Sequence, residues 1–370
     1  MKSNFDFLNR YWPALAQIGA TAETYVYSDP NACIYKLGMF AERLVQEILV
    51  FEHIAEPAVD NTHANRIRIL KRAGLLPHEI DNTLYVLRKT RNSAVHTGTD
   101  SVDEAKTLLS LTYNLAVWFM ETYGDWGYIA PEFVMPSEIT HEDLESVIAE
   151  QERKIEELTK QLAVVKTAAS GKTQKERARR SESVSAMMNW NEAQTRCLID
   201  EQLRLSGWEA DTQNLRYSKG TRPVKGRNIA ISEWPTNSAF YKNGYADYAF
   251  FIGEKLVALM DAKKMSEDVA STIDVQVKDY AAHIKPEDIP HTVGNWNGYQ
   301  VPFLFASNGR AYLEQLRTKS GIWFLDVREQ ENQPYPIRNW FSPSDLMEKL
   351  GQNTAAANQA LAAADNSFMT

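Results

Sequence analysis

The sequence predicts an α+β chain of several domains: an N-terminal helical bundle, a long helix or coiled-coil connector, and an α/β domain on a mixed central sheet. Three patterns point there. Apolar residues recur at three and four over Ile34, Leu37, Phe40, Ala41, Leu44 and Ile48, and again over Leu108, Leu111, Leu115 and Val117 to Met120, the period of a buried helix face. A heptad follows from Leu144 to Val165. Beyond it, short apolar runs between Gly, Pro and Asn punctuation take over, the mark of buried strands. A chain of 370 residues has room for two or three cores.

Taken in order, residues 1–135 form the bundle, with Gly74 and Pro77 separating helices. Trp12, Tyr35, Trp118 and Phe119 are expected in its core. Residues 136–185 form the connector. Ile148, Ile155 and Leu162 occupy one heptad position and Leu144, Leu158 and Val165 the other, with Gln151 in a core slot. This is a short coiled coil or one long helix docked on its neighbours. The polar, Ala/Ser/Lys-rich stretch Thr167–Ser185 is expected to be a linker. Ser170-Gly171-Lys172-Thr173 looks like the end of a P-loop, but Lys166 stands where its first Gly belongs, and no buried strand precedes it. Residues 186–350 form the α/β domain, with a helix over 195–206 that buries Leu198, Leu203 and Leu205. Strands are expected near 215–218, 229–234, 246–252, 256–262, 301–306 and 321–327. Residues 351–370, rich in Ala and Asn, are an expected disordered tail or boundary.

Two of those strands carry the chemistry. Ala246–Ile252 and Leu256–Lys263 are apolar apart from Asp247, Asp261 and Lys263, and Gly253-Glu254-Lys255 forms a turn. A hairpin centred on Glu254 sets Asp247 opposite Asp261, with Lys263 on the same side as Asp261. Carboxylates in such a setting are costly without a partner, and a divalent metal is a natural one. Two carboxylates and the Ala262 carbonyl could hold Mg²⁺, while a lysine serves the attacking water or the transition state of phosphodiester hydrolysis. Gln276 and Tyr280, four apart and thirteen and more residues beyond Lys263, share one helix face.

Asp247, Asp261-x-Lys263 and Gln276-x-x-x-Tyr280 together resemble the PD-(D/E)xK nuclease pattern with its appended Gln-x-x-x-Tyr motif. In that order they resemble the endonuclease domain of the restriction (R) subunit of type I restriction–modification enzymes. Flanking stretches are similar too, among them Ala230-Ile231-Ser232-Glu233-Trp234-Pro235-Thr236 and Ser307-Asn308-Gly309-Arg310, and so is the opening Lys2 to Leu8. The likeness runs from about residue 190 to 350. Many family members have Glu at the place of Asp261, whose shorter arm would alter metal geometry. The resemblance implies catalytic Asp247, Asp261, Lys263, Gln276 and Tyr280, with metal on Asp247 and Asp261. The implied cofactor is Mg²⁺, or Mn²⁺ in its place. Asp200 or Glu201 could add a helix-borne carboxylate. Implied partners are double-stranded DNA and the methyltransferase and specificity subunits. ATP would act only through a motor domain, which the chain ends before reaching.

A second resemblance lies in the bundle. Arg91-Asn92-Ser93-Ala94-Val95-His96 resembles the Arg-x4-His signature of HEPN domains, whose active members cut RNA without metal. Rival readings are therefore a HEPN-type RNase at Arg91 and His96, or a non-catalytic docking module. The net charge of −8 carries no global nucleic-acid signature, so local charge matters more. Lys166–Arg180 holds six basic residues and is expected to be a solvated linker, whereas the five of Arg216–Arg227 could meet phosphates or form a solvated loop. Cys33 and Cys197 are too far apart in sequence to suggest a pair and are expected to be buried free thiols of a reducing, cytoplasmic compartment. Seven scattered His offer no zinc spacing, and no apolar run is long enough for a membrane.

Overall fold

A computed structural model describes residues 3–56, 60–97, 101–138, 141–159, 166–188, 190–238, 244–267, 269–312, 314 and 317–352. They fall into two compact units, residues 1–194 and 195–370. The expected tail lies almost wholly outside the described residues.

The first unit is helical: α1 (Pro13–Tyr25), α2 (Pro30–Phe51), α3 (His63–Arg72), α4 (His78–Thr97), α5 (Val102–Phe119), α6 (His141–Thr159) and α7 (Gln174–Met187). Local chemistry fixes the starts. Asp29 accepts the Ala32 N–H at 2.9 Å with Pro30 in the first turn of α2, and Thr62 and Ser101 cap α3 and α5 the same way. α2 packs on α1, α4 and α5. Trp12 and Phe119 meet with ring centroids 4.2 Å apart, and Trp118 is fully buried. Tyr35, by contrast, is exposed and lies under the Arg91 guanidinium.

α6 carries the first part of the heptad as a docked helix: it packs on α1, and Gln151 accepts a bond from Thr24 while Glu152 pairs with Lys36 at 2.6 Å; Leu162 and Val165 lie outside the described residues. The expected linker over 167–185 is mostly helix. Thr173 and Glu176 form a capping box at the start of α7. Arg177 then forks onto Glu52 with contacts of 2.7 and 2.5 Å, and Ser181 accepts from the Trp118 indole at 3.2 Å. Polar anchors, not an apolar stripe, hold this helix, so hydrophobic periodicity could not reveal it.

Among the described residues the second unit is built on a seven-stranded sheet in sequence order: β1 (Glu209–Ala210), β2 (Asn228–Pro235), β3 (Tyr245–Ile252), β4 (Lys255–Ala262), β5 (Phe303–Ser307), β6 (Ile322–Asp326) and β7 (Tyr335–Pro336). It is mixed: β1–β2 and β4–β5 are parallel and the other pairs antiparallel. Residues 215–218 are not a strand; Arg216 makes a single bridge to Ser232, and a 3₁₀ turn covers Tyr217–Lys219. On one sheet face pack Ile199 and Leu203 of α8 (Glu192–Leu205) and Leu346 of α11 (Pro343–Gly351), whereas Leu205 is exposed. Against the other lies a helical segment of three parts: α9 (Ala270–Thr272), a π-helical stretch Ile273–Val277 and α10 (Lys278–Ala282).

Candidate active site

The site is set by the β3–β4 hairpin. Its turn has two residues, Gly253 and Glu254, between the pair Ile252↔Lys255, and not the three expected from sequence. Val257 is then left over as a β-bulge, after which Phe250↔Ala258, Ala249↔Leu259 and Tyr248↔Met260 pair regularly. One step further, this register sets Asp247 against Asp261. The Ala262 N–H donates to Asp247 Oδ2 at 2.6 Å.

Asp261, Lys263, Gln276 and Tyr280 form one connected group. The Lys263 ammonium lies 2.7 Å from Asp261 Oδ2 and donates to Gln276 Oε1 at 2.9 Å. The Gln276 amide donates to Asp261 Oδ1 at 2.8 Å and to the Tyr280 hydroxyl at 2.6 Å. Gln276 sits in the π-helical stretch, a widened turn often found at functional sites. The four-residue spacing was legible; the widened turn was not.

Burial pushes the Asp261 carboxyl above the ordinary carboxylate range, against the opposing pull of Lys263, a hydrogen bond with Asp247 and the charge of Arg196. Burial alone would lower Lys263, but the adjacent Asp261 outweighs it and raises the ammonium's pKa. Asp261 Oδ2 is buried with no aligned hydrogen bond among the described residues; Lys263 is its close ionic partner. Among the described residues no three His, Cys, Asp or Glu groups converge as a ready-made metal cage. A hard cation would therefore be held by the two carboxylates with backbone oxygen and water, a donor set that suits Mg²⁺.

Asp200 and Glu201 do not join this pair. Asp200 accepts from the Thr212 N–H and hydroxyl and from the Tyr248 hydroxyl, and Glu201 pairs with Arg204. Burial raises the Asp200 carboxyl to about 6. Sequence reading missed Arg196 and Glu233, because a single Arg on a helix and a Glu inside a strand carry no spacing signal. Arg196 is hydrogen-bonded to Asp247 and lies 3.7 Å from Glu233. The basic run 216–227 is largely tied down: Arg216 pairs with Glu233, Arg222 covers the Tyr217 ring and Arg227 pairs with Glu209. Asn308 is a buried turn residue that donates to the Glu267 carbonyl at 2.6 Å. Cys33 is buried, whereas Cys197 is only partly so.

In the helical unit, Arg91 is held by Glu42 at 2.6 Å. The side chain of His96 lies outside the described residues.

Residues 209–350 match the family model for the second domain of the type I restriction enzyme EcoKI endonuclease subunit. Asp247, Asp261, Lys263, Gln276 and Tyr280 all fall within that match. Over 432 aligned residues the chain is 28% identical to the type I restriction enzyme EcoKI endonuclease subunit of Escherichia coli (strain K12). The chain resembles the N-terminal part of a type I restriction endonuclease subunit. That alignment takes in 97% of this chain and 37% of the relative, so the chain spans little more than a third of that protein's length. No solved structure matches. None of the described helices is long and apolar enough to cross a membrane.

Proposed function

We propose that the chain carries the DNA-cleaving site of a type I restriction endonuclease, hydrolysing phosphodiester bonds with Mg²⁺ on Asp247 and Asp261. The observation that supports this most directly is the hydrogen-bonded group Asp261–Lys263–Gln276–Tyr280 beside Asp247 at the end of a buried hairpin. Bound there, the metal would lower the pKa of an attacking water and offset charge on the phosphate. Lys263, kept protonated by Asp261, supplies a fixed positive charge where negative charge grows in the transition state. Gln276 holds both partners of that ion pair by one amide, and Tyr280 fixes the amide's orientation. Asp247 is aimed by the Ala262 N–H, so the two acids keep a set separation. On this reading the relatives' methyltransferase and specificity subunits choose the sequence, and the compartment is the cytoplasm.

Nicking of supercoiled plasmid in Mg²⁺ or Mn²⁺, with chelator as control, tests the reading. Asp261→Ala and Lys263→Ala should each lose activity by roughly 100-fold or more. Metal-dependent nicking that survives both changes would remove the site from consideration. A chain that neither nicks DNA nor binds Mn²⁺ in an Asp261-dependent way would count against the whole proposal and favour a docking role.

A further inference from the structure

A third acid stands beside the carboxylate pair, in the family-like stretch Ala230–Thr236 to which the sequence assigns no chemical role. Glu233 occupies the β2 position opposite Asp247, between the pairs Ser232↔Tyr248 and Trp234↔Ala246. Its φ of 54° lies in the left-handed region, inside an otherwise regular strand. A residue with a side chain rarely takes that conformation. Such strain persists where the surroundings impose it, and it gathers at functional sites.

Two guanidinium groups hold Glu233. Arg216 Nη1 lies 3.3 Å and Arg196 Nη1 3.7 Å from the same oxygen, Oε1. The other terminal nitrogen of Arg196, Nη2, is bonded to Oδ1 of Asp247. One guanidinium therefore bridges two carboxylates, tightly to the member of the candidate metal pair and loosely to Glu233. Arg196 and Asp247 are shielded, only 15% and 13% exposed, whereas Glu233 is 34% exposed.

A cation seated on Asp247 competes with any other cation for that carboxylate. An arginine cannot leave by losing its proton. Leaving a shielded guanidinium without a partner is costly, so it needs a second acceptor close by. Glu233 is that acceptor, already within reach of the same side chain. We propose that Arg196 is the resident counter-cation of the site and Glu233 its alternative seat. Arg196 passes from Asp247 to Glu233 when a divalent cation takes Asp247. Arg196 and Glu233 are then positioning residues that set how readily the site accepts metal, and neither is a ligand. This rests on the nuclease reading above.

Equilibrium Mn²⁺ binding to the whole chain without DNA, by calorimetry and by loss of the free-ion electron paramagnetic resonance signal, separates the possibilities. Arg196→Ala, or Arg196→Gln should the first fail to fold, is expected to tighten binding, and Glu233→Gln to weaken it, each by roughly tenfold. The double variant should bind Mn²⁺ like the Arg196 variant alone, because without Arg196 no counter-cation has to leave Asp247 for Glu233, and Arg216 already pairs with Glu233 away from Asp247. Unchanged or weaker binding in the Arg196 variants would overturn the proposal and leave the nuclease site standing. A Glu233→Gln loss that persists in the double variant would also overturn it, by making Glu233 a ligand. Wild-type binding that Asp261→Ala leaves untouched, or no binding at all, would bring down the nuclease reading and this proposal together.

Discussion

Two ion pairs, one in each unit, show how the same chemistry serves different ends. Arg177–Glu52 in the helical unit is sealed: its side chains are 9% and 1% exposed, it is bidentate, and Arg177 also donates to the Lys172 carbonyl. Lys263–Asp261 in the sheet unit has a sealed aspartate side chain, 4% exposed, but a lysine side chain left 26% exposed. Its fixing partner is an amide on a widened helical turn. The first pair turns its hydrogen bonds inward, onto the fold. The second leaves one charge able to meet a ligand. A buried pair becomes a candidate site when it is closed on one side only.

The comparison breaks most sharply if one partner of each pair is removed. Glu52→Ala strands Arg177 in the protein and should cost about 3–5 kcal/mol in denaturant unfolding. Asp261→Ala leaves Lys263 with access to water and should cost about 1 kcal/mol or less, although it is expected to abolish cleavage. A large stability loss from Asp261→Ala would make that pair structural, like the first.

Acid should sharpen the contrast, because the buried titratable groups shift in opposite senses. His63 is buried, with neither ring nitrogen hydrogen-bonded among the described residues, and burial pushes it down to about 4 despite the nearby Glu42. Its folded pKa is below the unfolded value, so it contributes stability above about pH 6.5 that is lost as pH falls through 4. A shift of that size corresponds to about 3 kcal/mol, and His63→Leu should remove that slope from the pH dependence of unfolding. Asp200 runs the other way. Its folded pKa, raised to about 6, means that its protonated form fits best. The contribution is complete below the unfolded value near 4 and is lost as pH rises through 6. Asp200→Asn, whose amide can still accept from the Thr212 N–H while the hydroxyls turn to accept from it, should abolish this second slope. Slopes of the same sign for the two variants would contradict the burial argument.

The smallest effect concerns the helix that the sequence hid. Thr173→Ala removes the cap that accepts from the Glu176 N–H and should cost about 1 kcal/mol, measured by thermal unfolding. No change would mean that α7 is held by Arg177 and Ser181 alone.

What could be read in advance follows from this contrast. Apolar periodicity exposed α2, α5 and the central strands, because burial of a regular face repeats in sequence. The acids and the lysine were visible because charge is conspicuous inside apolar runs, and Gln276 and Tyr280 because helical spacing is local. α7 was invisible because its contacts are made by Arg177, Ser181 and Ser185, polar residues whose partners lie on other elements. Arg196 and Glu233 were invisible for a like reason: their significance is a juxtaposition across 37 residues of chain, visible only in three dimensions.

The bulge at Val257 gives the hairpin one residue of slack. With a two-residue turn and no bulge, Asp261 would pair with Ala246 and the two acids would fall out of phase, since a slip of one residue reverses the face of every side chain beyond it. The spare residue acts as a vernier. A single deletion between Leu256 and Met260 can be absorbed by closing the bulge, with Asp247 still facing Asp261. A single insertion in the same stretch has no such refuge. Among natural variants of this hairpin, then, length should vary downward by one residue and not upward, a directional signature written several residues away from the groups it protects.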